Sequence, residues 1–283
     1  MNKRQGYPTG VPCWADTTQP DPDAAVEFYS RLFGWECEDV MPAGSPMKYF
    51  IARVDGGDVA AIGSIPERAP DRAMWNTYIW ADDVDAVVPA VVKAGGTVFA
   101  EPFDVMEFGR MAVFTDPEGA VFSVWQPGTH RGSEVVNEHG SVNFNTLHSR
   151  ELESARGFYG SVFGWSTLDV GGPTPMWAMA GYGDHLEEKV SPGLRESMAE
   201  MGAPAGFEDV VAAVDLIDPN DTTTPAHWGV TFAVDNADET AELATQLGGT
   251  VVAPPMDLPW VRQTVIADPQ GAIFTASQFV PPT

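Results

Sequence analysis

Two stretches of this chain occur twice, in the same order. Ala25-Val26-Glu27-Phe28-Tyr29-Ser30-Arg31-Leu32-Phe33-Gly34-Trp35 returns as Ala155-Arg156-Gly157-Phe158-Tyr159-Gly160-Ser161-Val162-Phe163-Gly164-Trp165. Asp116-Pro117-Glu118-Gly119-Ala120-Val121-Phe122 returns as Asp268-Pro269-Gln270-Gly271-Ala272-Ile273-Phe274. Ordered repeats mark a tandem duplication, and a duplication requires two halves that build similar units around similar cores. The step between copies grows from 130 residues (Phe28 to Phe158) to 153 (Trp75 to Trp228), which places an insertion in the second half.

Each half divides again. Over 75–127, the apolar run Tyr78-Ile79-Trp80 predicts a strand and Asp82-Asp83 a turn and helix cap. Val84, Val87, Val88 and Val91 then recur at helical spacing until Gly95-Gly96 stops them. Strands are expected at 97–100, 111–115 and 120–126, with Asp116-Pro117-Glu118-Gly119 as the last turn, giving the order β-α-β-β-β. Residues 10–66 repeat that order more faintly. A strand is expected near 11–17, and Asp21-Pro22-Asp23 caps a helix with Ala25, Phe28, Tyr29, Leu32 and Phe33 on one face. Gly34 ends it, and strands follow at 48–54 and 58–65. A third module begins over 141–183. A fourth spans 227–279, with a helix at 238–247 closed by Gly248-Gly249. In the insertion, Ser191-Pro192 reads as a cap, and Leu194, Met198 and Met201 share a helical face.

With 283 residues the chain has room for two domains of ordinary size. A formal charge of −25 makes nucleic acid, itself densely anionic, an unfavourable partner. Cys13 and Cys37 are the only cysteines, so no disulfide framework is indicated. No apolar run approaches the about 18 residues a membrane helix needs, and the N-terminus shows no signal-peptide pattern. A cytoplasmic location is expected.

The paired modules, the Phe-Tyr…Phe-Gly-Trp helix and the Asp-Pro-x-Gly-x-x-Phe turn together resemble the glyoxalase/bleomycin-resistance/dioxygenase (vicinal oxygen chelate) superfamily. The closest resemblance is to its tandem two-domain members. The resemblance implies an α+β fold of four βαβββ modules forming two glyoxalase-like domains with curved mixed sheets, the ligand lying in the concave face. The expected boundaries are a first domain at 8–127 (modules 8–66 and 74–127), a linker at 128–140 and a second domain at 141–283. The latter holds modules 141–185 and 226–280 and a helical insertion at 186–215.

Metal-using members carry a His on each module's first strand, seven residues before an acidic position. They carry a Glu four residues after the glycine of the Asp-Pro-x-Gly turn. Counting back from Asp21, Asp82, Glu151 and Asp235 puts Trp14, Trp75, Phe144 and Trp228 at the His positions. Ser123 and Thr275 stand at the Glu positions. The resemblance therefore implies cups walled by three tryptophans and a phenylalanine with a few hydroxyls, which suit a flat, partly apolar ligand. A one-residue change of register would bring in His227 or Asn145.

Asp104 and Asp257 are equivalent in the two halves, as are Arg110 and Arg262. All four are expected at the cup rim, where the arginines could hold a polar substituent. Asp104, Asp257 and His148 are the candidate catalytic acid–base groups. His185 and Glu187 would share a face if Asp184-His185-Leu186-Glu187-Glu188 were a strand, and they are the alternative metal ligands. The expected function is metal-independent binding of a planar or aromatic small molecule, of the natural-product or antibiotic-resistance type, with no cofactor. The alternative is an enzyme of secondary or detoxifying metabolism, a glyoxalase-like lyase or isomerase or a hydroxylase or oxygenase. Beyond a small-molecule ligand no partner is expected, neither nucleic acid nor membrane, and the chain is expected as a monomer or homodimer.

Overall fold

A computed structural model describes residues 3–67, 72–172 and 174–281. The first half runs β1 (Pro12–Gln19), α1 (Pro22–Phe33), β2 (Glu36–Asp39), β3 (Tyr49–Val54), β4 (Gly57–Ser64), β5 (Met74–Trp80), α2 (Val84–Lys93), β6 (Thr97–Val105), β7 (Gly109–Thr115) and β8 (Val121–Pro127). The second runs β9 (Val142–Ser149), α3 (Leu152–Phe163), β10 (Ser166–Leu168), β11 (Met176–Ala178), α4 (Tyr182–Lys189), α5 (Leu194–Glu200), β12 (Val210–Leu216), β13 (His227–Ala233), α6 (Ala237–Gln246), β14 (Thr250–Leu258), β15 (Val261–Ala267) and β16 (Ile273–Phe279).

The strands form two eight-stranded mixed sheets of identical plan, β2-β3-β4-β1-β5-β8-β7-β6 and β10-β11-β12-β9-β13-β16-β15-β14. Each sheet joins two consecutive βαβββ groups. In every group the first strand runs parallel to the last, and the register repeats: Asp16 pairs with Ala61, Tyr78 with Ser123, Thr146 with Ala213 and Thr231 with Thr275.

Local chemistry explains the helices. The Asp21 carboxylate accepts from Ala24 N at 3.1 Å, Pro22 opens α1, and Gly34 ends it at φ 72°. Asp83 caps α2 and Asn236 caps α6 in the same way. The βαβββ order calls for the short strands β2 and β10, though the residue pattern does not place them. The insertion lies between β11 and β12. It carries α4 and α5, and β12 occupies the end of the stretch expected to be helical. No residue of α5 is buried.

By internal contact the chain divides into two compact units. One contains residues up to 13, 77–132 and 144–228, and the other residues 14–76, 133–143 and 229 onward. In each unit the two duplicated motifs meet. In the second, the Tyr29 phenol donates to Asp268 Oδ2 at 2.9 Å and receives Trp75 Nε1–H at 3.1 Å, while Asp268 Oδ1 accepts from the turn nitrogens of Gln270 and Ala272. In the first, Tyr159 donates to Asp116 Oδ2 at 3.1 Å and receives Trp228 Nε1–H at 2.9 Å, while Asp116 Oδ1 accepts from Glu118 N and Ala120 N. Each repeat thus supplies a buried donor or acceptor that its counterpart satisfies.

Candidate functional site: the open faces of the sheets

Strand alternation sorts side chains into a helix-packed face and an open face. On β5, Trp75 bonds Tyr29, Thr77 Oγ1 donates to Asn145 Oδ1 at 2.8 Å, and Ile79 is fully buried, so these three share the helix-packed face. Asn76 and Tyr78 lie on the open face. On β13, Trp228, Val230 and Phe232 are packed on the helix side, and His227, Gly229 and Thr231 face the other way.

The expected direction of Trp75 and Trp228 is thereby corrected. The count back began at Asp82 and Asp235, but the residues that cap α2 and α6 are Asp83 and Asn236, one position later. With a period of two, one residue changes the face. Counting from the caps gives Trp14, Asn76, Phe144 and Gly229. Each lies two residues before the parallel-paired residue of its strand, Asp16, Tyr78, Thr146 and Thr231. The paired positions on the closing strands are Ala61, Ser123, Ala213 and Thr275. Trp14, Asn76, Phe144 and Gly229 with Ala61, Ser123, Ala213 and Thr275 include no imidazole and no carboxylate, so this donor set does not fit the divalent metal the fold family implies.

What occupies the open face of β1 is a polar aromatic network. Trp14 Nε1 donates to the Tyr49 hydroxyl at 3.2 Å, and that hydroxyl donates to Asp16 Oδ2 at 3.0 Å. Asn76 Nδ2 donates to Asp16 Oδ1 at 2.8 Å. Asp16 is 4% exposed. Burial and the Asp16 charge hold the Tyr49 phenol far above its ordinary range, so it remains a donor. The Tyr49 ring lies against its register partner Gly63, where a Cβ would come within 2.9 Å of it. Asp16 was not singled out from the sequence. The signal was there: Trp14 and Asp16 are two residues apart on one strand and must share a face.

Ser123 lies on the open face of β8 beside Tyr78 and Trp125, whose rings meet edge to face at 6.5 Å. On the second sheet, Thr275 is on the open face of β16, and Phe144, Thr146 and His148 are on that of β9. His148 sits within β9, and its ring stacks on His227 at 4.4 Å and 9°. Asn145 turns to the helix side.

Arg110 and Arg262 share strand faces with the fully buried Phe114 and Ile266, so they lie on the helix-packed side. Arg110 bonds Asp85 through Nε and Nη2 and Asp104 through Nη1. Arg262 repeats the clamp on Asp238 and Asp257. Asp104 and Asp257 are largely exposed, with 74% and 83% of the side chain accessible.

His185 and Glu187 fall in a helix, α4, where residues two apart diverge. Glu187 accepts from Gly193 N and Arg195 N and so anchors the start of α5, while His185 stacks near Tyr182. Their expected convergence as a strand pair is corrected. Among the described residues, no group of three or more His, Cys, Asp or Glu could hold a metal ion. Cys13 is buried, and burial pushes its thiol well above the ordinary range.

The glyoxalase-like domain matches twice, at residues 14–125 and 144–277. The chain belongs to the glyoxalase-like family. It is 39% identical over 284 residues to the putative glyoxylase CFP32 of Mycobacterium tuberculosis, covering 99% of both chains. It is 35% identical over 285 residues to the anthracycline biosynthesis protein DauV of Streptomyces sp. strain C5, covering 95% of this chain and 93% of that one. In fold it is similar to the Mn(II)-bound glyoxalase of Novosphingobium aromaticivorans, with a TM-score of 0.59, 15% identity, and 98% of this chain and 83% of that one covered. The 2,3-dioxygenase LapB of Pseudomonas sp. KL28 aligns with a TM-score of 0.61 at 14% identity, with 97% and 95% covered. No helix among the described residues is long and apolar enough to cross a membrane.

Proposed function

We propose that this protein binds a planar, partly aromatic small molecule on the open face of its first sheet, without a metal ion. The observation that carries this reading is the Trp14–Tyr49–Asp16–Asn76 network, in which Trp14 and Asn76 hold the positions where the family resemblance puts metal-binding histidines. The Trp14 indole, 4% exposed, and the Tyr49 phenol would wall the ligand, and the buried Asp16 carboxylate would orient a ligand hydroxyl or amine. Similarity to an anthracycline biosynthesis protein supports a polycyclic aromatic ligand.

The test is tryptophan fluorescence with 1,4-dihydroxyanthraquinone as the probe. Saturable quenching in the wild type, lost in Trp14→Leu but kept in Trp75→Phe, is the expected result. No saturable quenching, or equal quenching in Trp14→Leu, overturns the reading. Elemental mass spectrometry of protein purified without an affinity metal checks metal independence; a full equivalent of a transition metal in active protein contradicts it. A second reading, an enzyme of secondary or detoxifying metabolism, is supported by the relatives named as a putative glyoxylase and a biosynthesis protein. In that case Asp16 is the group on this face able to take a proton.

A further inference from the structure

The open face of the second sheet has different chemistry. His148 and His227 project from the neighbouring strands β9 and β13 and stack face to face, centroids 4.4 Å apart and planes 9° apart. Asp215 is the register partner of His148 on β12, on the same face. The pair cannot chelate one ion in this arrangement. The lone pairs of parallel rings lie in parallel planes, whereas a metal at about 2.0 Å from each nitrogen needs both planes to pass through it.

The tautomers follow from the surroundings. His227 Nδ1 is 2.9 Å from the carbonyl oxygen of Pro225, which can only accept, so Nδ1 carries a proton and in the neutral ring Nε2 is the acceptor. The His148 side chain makes no hydrogen bond to protein among the described residues, and burial together with the neighbouring His227 lowers its pKa to about 4. It is therefore neutral at pH 7, with one nitrogen free to accept. A face that offers two imidazole acceptors and a carboxylate, with flat rings for stacking, calls for a donor.

We propose that His148 and His227 form a second ligand site, separate from the Trp14 network, that takes a flat, uncharged, hydroxyl-bearing molecule by accepting its O–H at an imidazole nitrogen. The site has no counterpart in the first half, where Thr18 and Met74 stand at the equivalent positions. The proposal does not depend on the reading of the first sheet, since each site has its own residues.

The test uses the full chain with 2-naphthol, neutral at pH 7 with one hydroxyl, and 2-methoxynaphthalene, which lacks the donor. Binding is followed through the histidine ring signals by NMR and through naphthol fluorescence, in wild type, His148→Gln, His227→Phe and Trp14→Leu. The expected result is saturable 2-naphthol binding that shifts the His148 and His227 signals and survives Trp14→Leu. It should weaken about threefold to tenfold in His148→Gln and for the methyl ether, the range of one hydrogen bond. His148→Gln loses the ring and moves the acceptor, and His227→Phe keeps a ring and removes an acceptor, so each should weaken binding. Absence of saturable binding overturns the proposal, as does binding that ignores both histidine substitutions or does not distinguish the ether. Circular dichroism of each variant separates loss of the site from loss of the fold. Failure of the first-sheet reading would show instead in the Trp14→Leu arm of the quenching experiment.

Discussion

In the unit that holds α1, the Tyr29 phenol is fixed between Trp75 and Asp268, and Gln19 adds a second donor to Asp268 Oδ2 at 2.7 Å. In the unit that holds α3, Tyr159 is fixed between Trp228 and Asp116, but Ser149 and the Arg150 nitrogen turn instead to Glu118. The helix-packed faces are thus two versions of one design, down to stacking of Tyr29 on Trp35 and of Tyr159 on Trp165. The open faces share almost nothing. Where the first sheet has Trp14, Asp16, Thr18, Met74 and Asn76, the second has Phe144, Thr146, His148, His227 and Gly229. A buried Asp–Tyr–Trp chain tolerates few changes, because each loss leaves a polar group without a partner. The open face of the first sheet has one such chain of its own, Trp14–Tyr49–Asp16, and the second sheet does not repeat it, with Phe144 and Thr146 in place of Trp14 and Asp16.

The comparison breaks most sharply at the two aspartates. Asp268→Ala removes the acceptor of Tyr29, Gln19 and two turn nitrogens and should cost about 3–5 kcal/mol in chemical denaturation. Asp116→Ala strips one side-chain donor fewer and should cost somewhat less, about 2–4 kcal/mol. Equal or reversed losses would show that the networks are not equivalent. On the open face, Trp14→Leu should weaken binding of the anthraquinone about tenfold or more, while Trp75→Phe costs about 1 kcal/mol of stability and leaves binding intact. The opposite pattern would reverse the face assignment.

A third contrast is pH. The ordinary imidazole value is 6.5 and His148 is held at about 4, so between those values the unfolded chain takes the extra proton and the folded one does not. The folded state therefore loses stability as pH falls through that window, by on the order of 3 kcal/mol from this group. His148→Gln should lose less stability than wild type between pH 7 and pH 4.5, and a matching Thr18 substitution in the first half should leave the slope unchanged. The smallest effect belongs to the exposed clamps. Arg110→Met and Arg262→Met should leave ligand binding unchanged and shift Tm barely, with any shift disappearing in high salt.

Much of this architecture is legible before any coordinates. The duplication, the helix caps at Asp21 and Asp83, the αL glycines at 34 and 95, and the resemblance to the glyoxalase superfamily all rest on local chemistry or short motifs. The open face is legible only in part. Trp14, Phe144, Ser123 and Thr275 lie on it, but Trp75 and Trp228 do not, because one residue of phase at the helix cap turns a strand residue over. Arg110 and Arg262 sit on the helix side for the same reason of alternation.

By itself, then, the sequence determined the modules, their order and the helix ends, since these depend on spacing and backbone preferences within a dozen residues. The tertiary structure decided which motifs meet. Tyr29 finds Asp268 across 239 positions, Asp16 gathers Tyr49 and Asn76, and His148 stacks on His227. Those meetings depend on strand order and register, which are set by the burial of whole faces rather than by any local signal.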